Sequence, residues 1–240
     1  MDYTKFNTKN LSDSKAEVSF DSGLRSYMVA VYKHMSIALI ITALISLFTA
    51  SSPAMMQMIF GTPLSWIVMF APVGISIYMG VRFQSLTVTG ARSLLYVYAA
   101  SIGLSLSYIF ILYTGESIAR TFFITASTFG AMSIYGYTTK KDLTSIGSFL
   151  MMGLLGIILA SLVNIFMQSS AVAFAISILS VILFTGLTAY DTQRIKDLYF
   201  EVSGSGDTED KIAIYGSLAL YMDFINLFIA LLRLFGDRKS

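Results

Sequence analysis

Of the 240 residues 55% are hydrophobic and 12% charged, and the mean hydropathy is +0.72, whereas soluble domains carry about 25% charged residues. The chain is therefore read as an integral membrane protein with the lipid bilayer as partner and no nucleic acid; the net charge of +2 says little beside where the charges fall. The absence of cysteine excludes disulfides, thiolate metal sites and thiol catalysis.

In chain order, residues 1–26 are polar and mixed in charge, too acidic for a signal peptide, and read as a cytosolic tail. Residues 27–240 read as one transmembrane domain. Uncharged apolar stretches long enough to cross about 30 Å of hydrocarbon fall at roughly 28–51, 64–81, 93–113, 118–138, 146–167, 171–190 and 212–235. They predict an all-α protein with seven transmembrane helices, short turns forcing neighbours to run antiparallel. Runs such as FLMMGLLGIILASL are apolar on every face, unlike the alternating strands of a membrane barrel.

Pro53, Pro63 and Pro72 are the only prolines, and Pro72 marks the one expected break within a helix. Small residues at close spacing, namely Gly153 with Gly156, Gly156 with Ala160, Ala126 with Gly130 and Ser133 with Gly136, are expected to bring helices together. Glu116 and Arg120, four apart, predict a solvated ion pair. The stretch KDLYFEVSGSGDTEDK lacks the ligand spacing of a calcium loop and reads as a solvated linker. His34, beside Lys33, reads as an interface residue.

Lys5, Lys9, Lys15, Arg25, Lys33, Arg82, Arg92, Lys140, Lys141, Arg194, Lys196 and Lys211 would share the N-terminal side of the membrane. Arg120, Arg233, Arg238 and Lys239 would lie opposite. The positive-inside rule then places the N-terminus in the cytosol. Seven crossings put the basic C-terminus outside, and a re-entrant last helix is the alternative.

Two acids stand out. Asp223 lies within the apolar run IAIYGSLALYMDFINLFIALLRLF, where a carboxylate at the centre of a membrane helix costs roughly 2.5–3.5 kcal/mol. Helical spacing puts it on one face with Asn226 and Ala219, so that face should point inward and the last helix should be central. Asp191 closes the preceding stretch, followed by Thr192, Gln193 and Arg194. Two carboxyls sharing a desolvated site cannot both ionise cheaply, so they should share a proton and titrate as a unit. This predicts a pH-sensing and gating pair, with Asn226 and Gln193 as supporting polar groups. Arg82, ending helix two on the same side, is the expected latch, bridging to the pair and closing a passage. Protons, or a divalent cation contacting Asp191 and Asp223, would compete with that bridge.

The segments TFFITASTFGAMSIYGYTTKKDLTSIGSFLMMGLLGIILASLVNIF, FTGLTAYDTQRIK and LALYMDFINLFIALLRLFG closely resemble the bacterial branch of the Bax inhibitor (transmembrane Bax inhibitor motif) family, over nearly all of the chain after its tail. The resemblance implies seven helices with the last wrapped by the other six, and a pH-sensitive calcium leak across the bacterial inner membrane. It also implies suppression of cell death among eukaryotic members. It carries the family's paired aspartates onto Asp191 and Asp223 and its basic latch onto Arg82, with no cofactor and with calcium only as the transported ion. Some relatives bear an acid in helix two, whereas this chain has none between Ser65 and Arg82.

Two other classes compete. A non-conducting regulator would bind other membrane proteins, including a membrane protease. An intramembrane aspartyl protease would use the two acids for general acid/base chemistry. Such proteases carry GxGD at the second acid and a later Pro-Ala-Leu, whereas this chain has Leu220, Tyr221 and Met222 before Asp223 and no proline after Pro72. No enzyme is expected.

Overall fold

A computed structural model describes the backbone of residues 3–239 and the side chains of 22–239. The first helix, α1 (Tyr3–Ala50), runs through the boundary expected at residue 26 without a break; side chains of the expected tail before residue 22 lie outside the described residues. Next come the short α2 (Pro53–Phe60), then α3 (Leu64–Val81), α4 (Val88–Leu106) and the single turn α5 (Ile109–Leu112). The remaining helices are α6 (Gly115–Thr138), α7 (Thr144–Met167), α8 (Ser170–Val202) and α9 (Asp207–Phe235). Among the described residues there is no strand, only one isolated antiparallel bridge between Tyr113 and Arg238.

Among the described residues six segments are long and apolar enough to cross a membrane: 22–50, 64–81, 88–112, 144–167, 170–202 and 207–235. The expected seventh, α6, has the length but is diluted by Glu116, Ser117, Arg120, Thr121, Thr125, Ser127, Thr128 and Ser133. Membrane solvent is also what the surface demands. Phe149, Met152, Leu155, Leu159 and Phe166 of α7 are exposed, and none of the most apolar window of α7 is buried. A continuous apolar surface of that kind is stable only against lipid or another protein.

Of the six spans α9 is the most buried. Its most apolar window is 61% buried, and it touches α1, α4, α6 and α8. Leu227 and Leu231 of α9 also join Leu150 of α7 and Leu183 and Leu187 of α8 in one apolar cluster. Hydroxyls fasten this packing. Ser217 Oγ shares its proton between Ala213 O on its own helix at 2.7 Å and Val31 O of α1 at 2.9 Å. Thr42 Oγ1 donates its single proton to Ala99 O at 2.9 Å, so the Tyr221 hydroxyl, 2.6 Å from Thr42 Oγ1, is the donor in that contact. One buried chain of hydrogen bonds thus ties α9 to α1 and α4, satisfying groups that would be costly bare in hydrocarbon.

Three expectations need correction. The helix predicted to end at residue 190 continues for three further turns as α8, because Arg194 and Asp197 occupy its exposed face while Ile195 and Tyr199 are buried. Tyr199 packs on Tyr27 of α1, ring centroids 5.2 Å apart. The supposed linker is therefore mostly helix, and the true turn is residues 203–206. There Gly204 and Gly206 adopt φ of +80° and +59°, a region glycine enters without strain. Finally, the stretch predicted as one helix over 93–113 breaks at Ser107 and Tyr108 without a proline. The Ser107 hydroxyl donates to Leu104 O at 2.6 Å, the local competition by which serine bends a helix, while that of Ser105 lies nearer Val68 O of α3 (2.9 Å) than Ser101 O (3.2 Å). Pro72, by contrast, sits buried inside an uninterrupted α3.

At the other end of the bundle, Arg120 does not pair with Glu116. Its Nη2 lies 3.0 Å from Asp237 Oδ2 and 3.1 Å from Phe235 O. The chain after α9 folds back, so that Thr114 N donates to Asp237 O and Lys239 N to Leu112 O, each at 2.9 Å. Local spacing loses here to a contact 117 residues away in sequence.

Candidate functional site

The site is built on the middle of α8, and two glycines allow its neighbours to close on it. A Cβ on Gly136 of α6 would stand 2.2 Å from Ala189 O. A Cβ on Gly147 of α7 would stand 2.3 Å from the ring of Tyr190. Both helices therefore press against α8 within a turn of Asp191, and only glycine permits it. Of the small-residue pairs expected to pack, Ser133 with Gly136 marks such an approach and a Cβ on Gly153 would stand 3.1 Å from Leu183 Cδ1, whereas one on Gly130 or Gly156 would meet nothing within 4 Å.

Against this frame α9 sets Asp223, 4% exposed. The Asp191 and Asp223 carboxyls lie within hydrogen-bonding reach of each other. Asp223 Oδ2 is fully enclosed and receives no hydrogen bond from the described groups. Two ionised carboxylates offer only acceptors to each other. A proton resident on the pair turns the contact into a hydrogen bond and removes one of two like charges from a water-poor site.

The cation beside the pair is Arg194, not Arg82. Arg194 Nη1 lies 3.9 Å from Asp191 Oδ1, one turn on along α8. The guanidinium reaches toward solvent while Asp191 is mostly enclosed, so the contact is a long, water-screened attraction of small net value. Arg82 caps the end of α3, is exposed and forms no ion pair with Asp191, Asp223 or any other described acid. The reason is geometric. The end of α3 meets α9 at Tyr215, whose hydroxyl donates to Met79 O and whose ring packs edge-on to Phe83 with centroids 4.6 Å apart. Tyr215 precedes Asp223 by about 12 Å along the helix.

The two supporting polar residues serve elsewhere. Gln193 clamps the turn between α6 and α7: its Nε2 donates to Lys141 O and its Oε1 accepts from Leu143 N, both at 2.8 Å. Asn226 donates to Met222 O at 2.8 Å and lines a cavity of about 340 Å³ between α7, α8 and α9. Hydropathy alone ends helix six at Tyr190 and so hides the Arg194 contact; the i, i+3 spacing from Asp191 brings the two together because α8 runs on to Val202. His34 Nδ1 and Tyr96 Oη are 2.8 Å apart between α1 and α4.

Among the described residues no group of three or more His, Cys, Asp or Glu could hold a metal. Two carboxyls alone fall short of the six to eight oxygens that calcium takes. Asp142, in the turn that Gln193 clamps, is exposed, and hydrogen bonds from the Thr144 hydroxyl and backbone N–H hold its carboxyl below the usual range. A depressed acid contributes stability above its unfolded pKa and loses it as pH falls through the folded one. Thermal unfolding should therefore show Asp142→Ala slightly less stable than wild type at neutral pH and equal to it in strong acid.

An all-helical chain with six apolar spans and an acid pair enclosed between two of them is a multi-pass integral membrane protein. Residues 24–240 match the family described as inhibitor of apoptosis-promoting Bax1, and the chain belongs to that family. It is 47% identical to protein RP147 of Rickettsia prowazekii, covering 97% of this chain and 98% of that one. It is 45% identical to the inner membrane protein YbhL of Escherichia coli K12 (91% and 94%) and 40% identical to a Caulobacter vibrioides protein (100% and 99%). The resemblance carried by YDTQ and YMDFINLF is thereby borne out.

Proposed function

We propose that this protein is a pH-sensitive cation leak pathway, with calcium as cargo, gated by Asp191 and Asp223. The observation that carries the reading is the meeting of these two carboxyls inside the bundle, with Asp223 Oδ2 enclosed and unpartnered. A structural acid would be satisfied by fixed donors; an acid facing only another acid changes its contacts whenever a proton arrives or leaves.

In this reading α6 is the seventh crossing despite its polarity, because its hydroxyl-bearing face is turned inward. Ser117, Thr121, Thr125 and Ser133 are buried, whereas Phe123 and Ile134 face outward. The burial of α9 supports a last helix surrounded by the other six, with the N-terminus cytosolic and, by analogy with YbhL, an inner-membrane location.

The sign of the gating follows from charge. Arg194 stands one turn from Asp191 on α8 itself, so it offsets the charge of the pair rather than joining two helices. Acid neutralises Asp191 and releases Arg194 from it, and in this reading the neutral pair is the open state, so acid opens and alkali closes. Arg82 keeps the latch role only in a state where α3 slides toward the acids, and in the present arrangement Arg194 is the better placed group.

Purified protein in liposomes loaded with a calcium dye should pass calcium faster as pH falls. Arg194→Gln should raise the flux at alkaline pH severalfold and leave the acid limit unchanged. If no ion passes at any pH, the reading fails and a non-conducting regulator of other membrane proteins or a membrane protease takes its place. No reaction chemistry is assigned to the acids.

A further inference from the structure

An apolar cavity opens between α1 and α6. It is about 700 Å³, apolar along its length, and floored by Phe224 of α9. Its wall on α1 runs from Arg25 to Leu39 and on α6 from Tyr137 to Phe122, about 21 Å at 1.5 Å per residue. That length spans one leaflet of a hydrocarbon core about 30 Å thick and reaches into the headgroup region. At Leu39, Phe122 and Phe224 it meets a second apolar cavity of about 430 Å³ that continues toward the far side.

Two features separate this groove from an ordinary lipid-facing dent, and both lie toward the Arg25 end. First, its mouth is positive. Arg25 is exposed there and pairs with no described acid. Lys196 stands behind Tyr137, its Nζ 5.7 Å from the ring centroid and 2.9 Å from Tyr137 O. Among the described residues no Asp or Glu lines the groove. Second, Ser133, a lining residue only 5% exposed, has a hydroxyl without a partner among the described residues. A buried hydroxyl normally donates somewhere, as that of Thr125 on the same helix does to Thr121 O.

We infer that the α1–α6 groove is a binding site for one phospholipid with an anionic headgroup. The acyl chain lies along Met35, Leu39, Phe129 and Phe224, the Ser133 hydroxyl donates to an ester carbonyl, and the phosphate sits against Arg25. The site is separate from the acid pair and does not depend on the protein's conducting ions.

Native mass spectrometry of the whole protein, released from nanodiscs of equal phosphatidylglycerol and phosphatidylcholine, tests this. Wild type should retain one lipid per chain, with phosphatidylglycerol favoured. Arg25→Gln should retain a lipid but lose roughly fivefold of the preference, as about 1 kcal/mol per basic residue at a membrane surface implies. Gly130→Phe fills the groove from a position where an added Cβ meets nothing within 4 Å, and should abolish retention. Gly156→Phe, equally unobstructed but on α7, should retain lipid as wild type does. Retention of lipid by Gly130→Phe, indifference of wild type to the headgroup, or an unchanged preference in Arg25→Gln would each overturn the site. Should Gly130→Phe fail to fold, Arg25→Gln decides the matter alone.

Discussion

Calcium flux through liposomes carrying the double variant Asp191→Asn, Asp223→Asn is expected to be flat across the pH range over which the wild-type flux rises with acid. Asparagine keeps the size of the aspartate side chain, and its amide donates where the shared proton did, so the contact between α8 and α9 survives while its titration is lost. Arg194, 3.9 Å from Asp191, loses its charged partner at the same time. Flux should therefore stay near the acid limit at all pH values, and the loss of slope should be complete because no other acid faces the pair among the described ion pairs. A double variant that keeps the wild-type slope would remove the acids from the gate. Thermal unfolding in detergent, run alongside, separates a lost gate from a lost fold.

Gly136→Leu is expected to be the most damaging single substitution near the site. Its Cβ would meet the carbonyl oxygen of Ala189 at 2.2 Å and the carbonyl carbon at 2.9 Å. These are backbone atoms of α8, so no rotamer change relieves the clash and the two helices must move apart. Overpacking of well-packed cores costs about 1–3 kcal/mol and occasionally more, and this case belongs at the upper end. The separation would also unseat the α6–α7 turn that Gln193 clamps. Gly156→Ala is the matched control: its Cβ meets nothing within 4 Å, and alanine favours the helix by about 1 kcal/mol over glycine. Unfolding temperatures measured side by side should fall sharply for the first and hold or rise for the second.

The sequence by itself determined the class of protein, the approximate place of each long helix and the two acids. Hydropathy summed over a span and the cost of a carboxylate in hydrocarbon are properties of local composition, so they are legible without a fold. Asp191 and Asp223 could be named together because both break an apolar run. The tertiary structure alone decided their surroundings. Arg194 rather than Arg82 stands beside Asp191, since α8 continues past the residue where apolar composition ends and α3 meets α9 about two turns from Asp223. Arg120 answers to Asp237 across the bundle rather than to Glu116 on its own helix. Gln193 holds a neighbouring turn, and the groove beside Arg25 exists because α1 and α6 stand apart over α9. Each of these depends on which faces meet and how closely. Periodicity shows which residues share a face of one helix, but only packing decides what lies opposite that face.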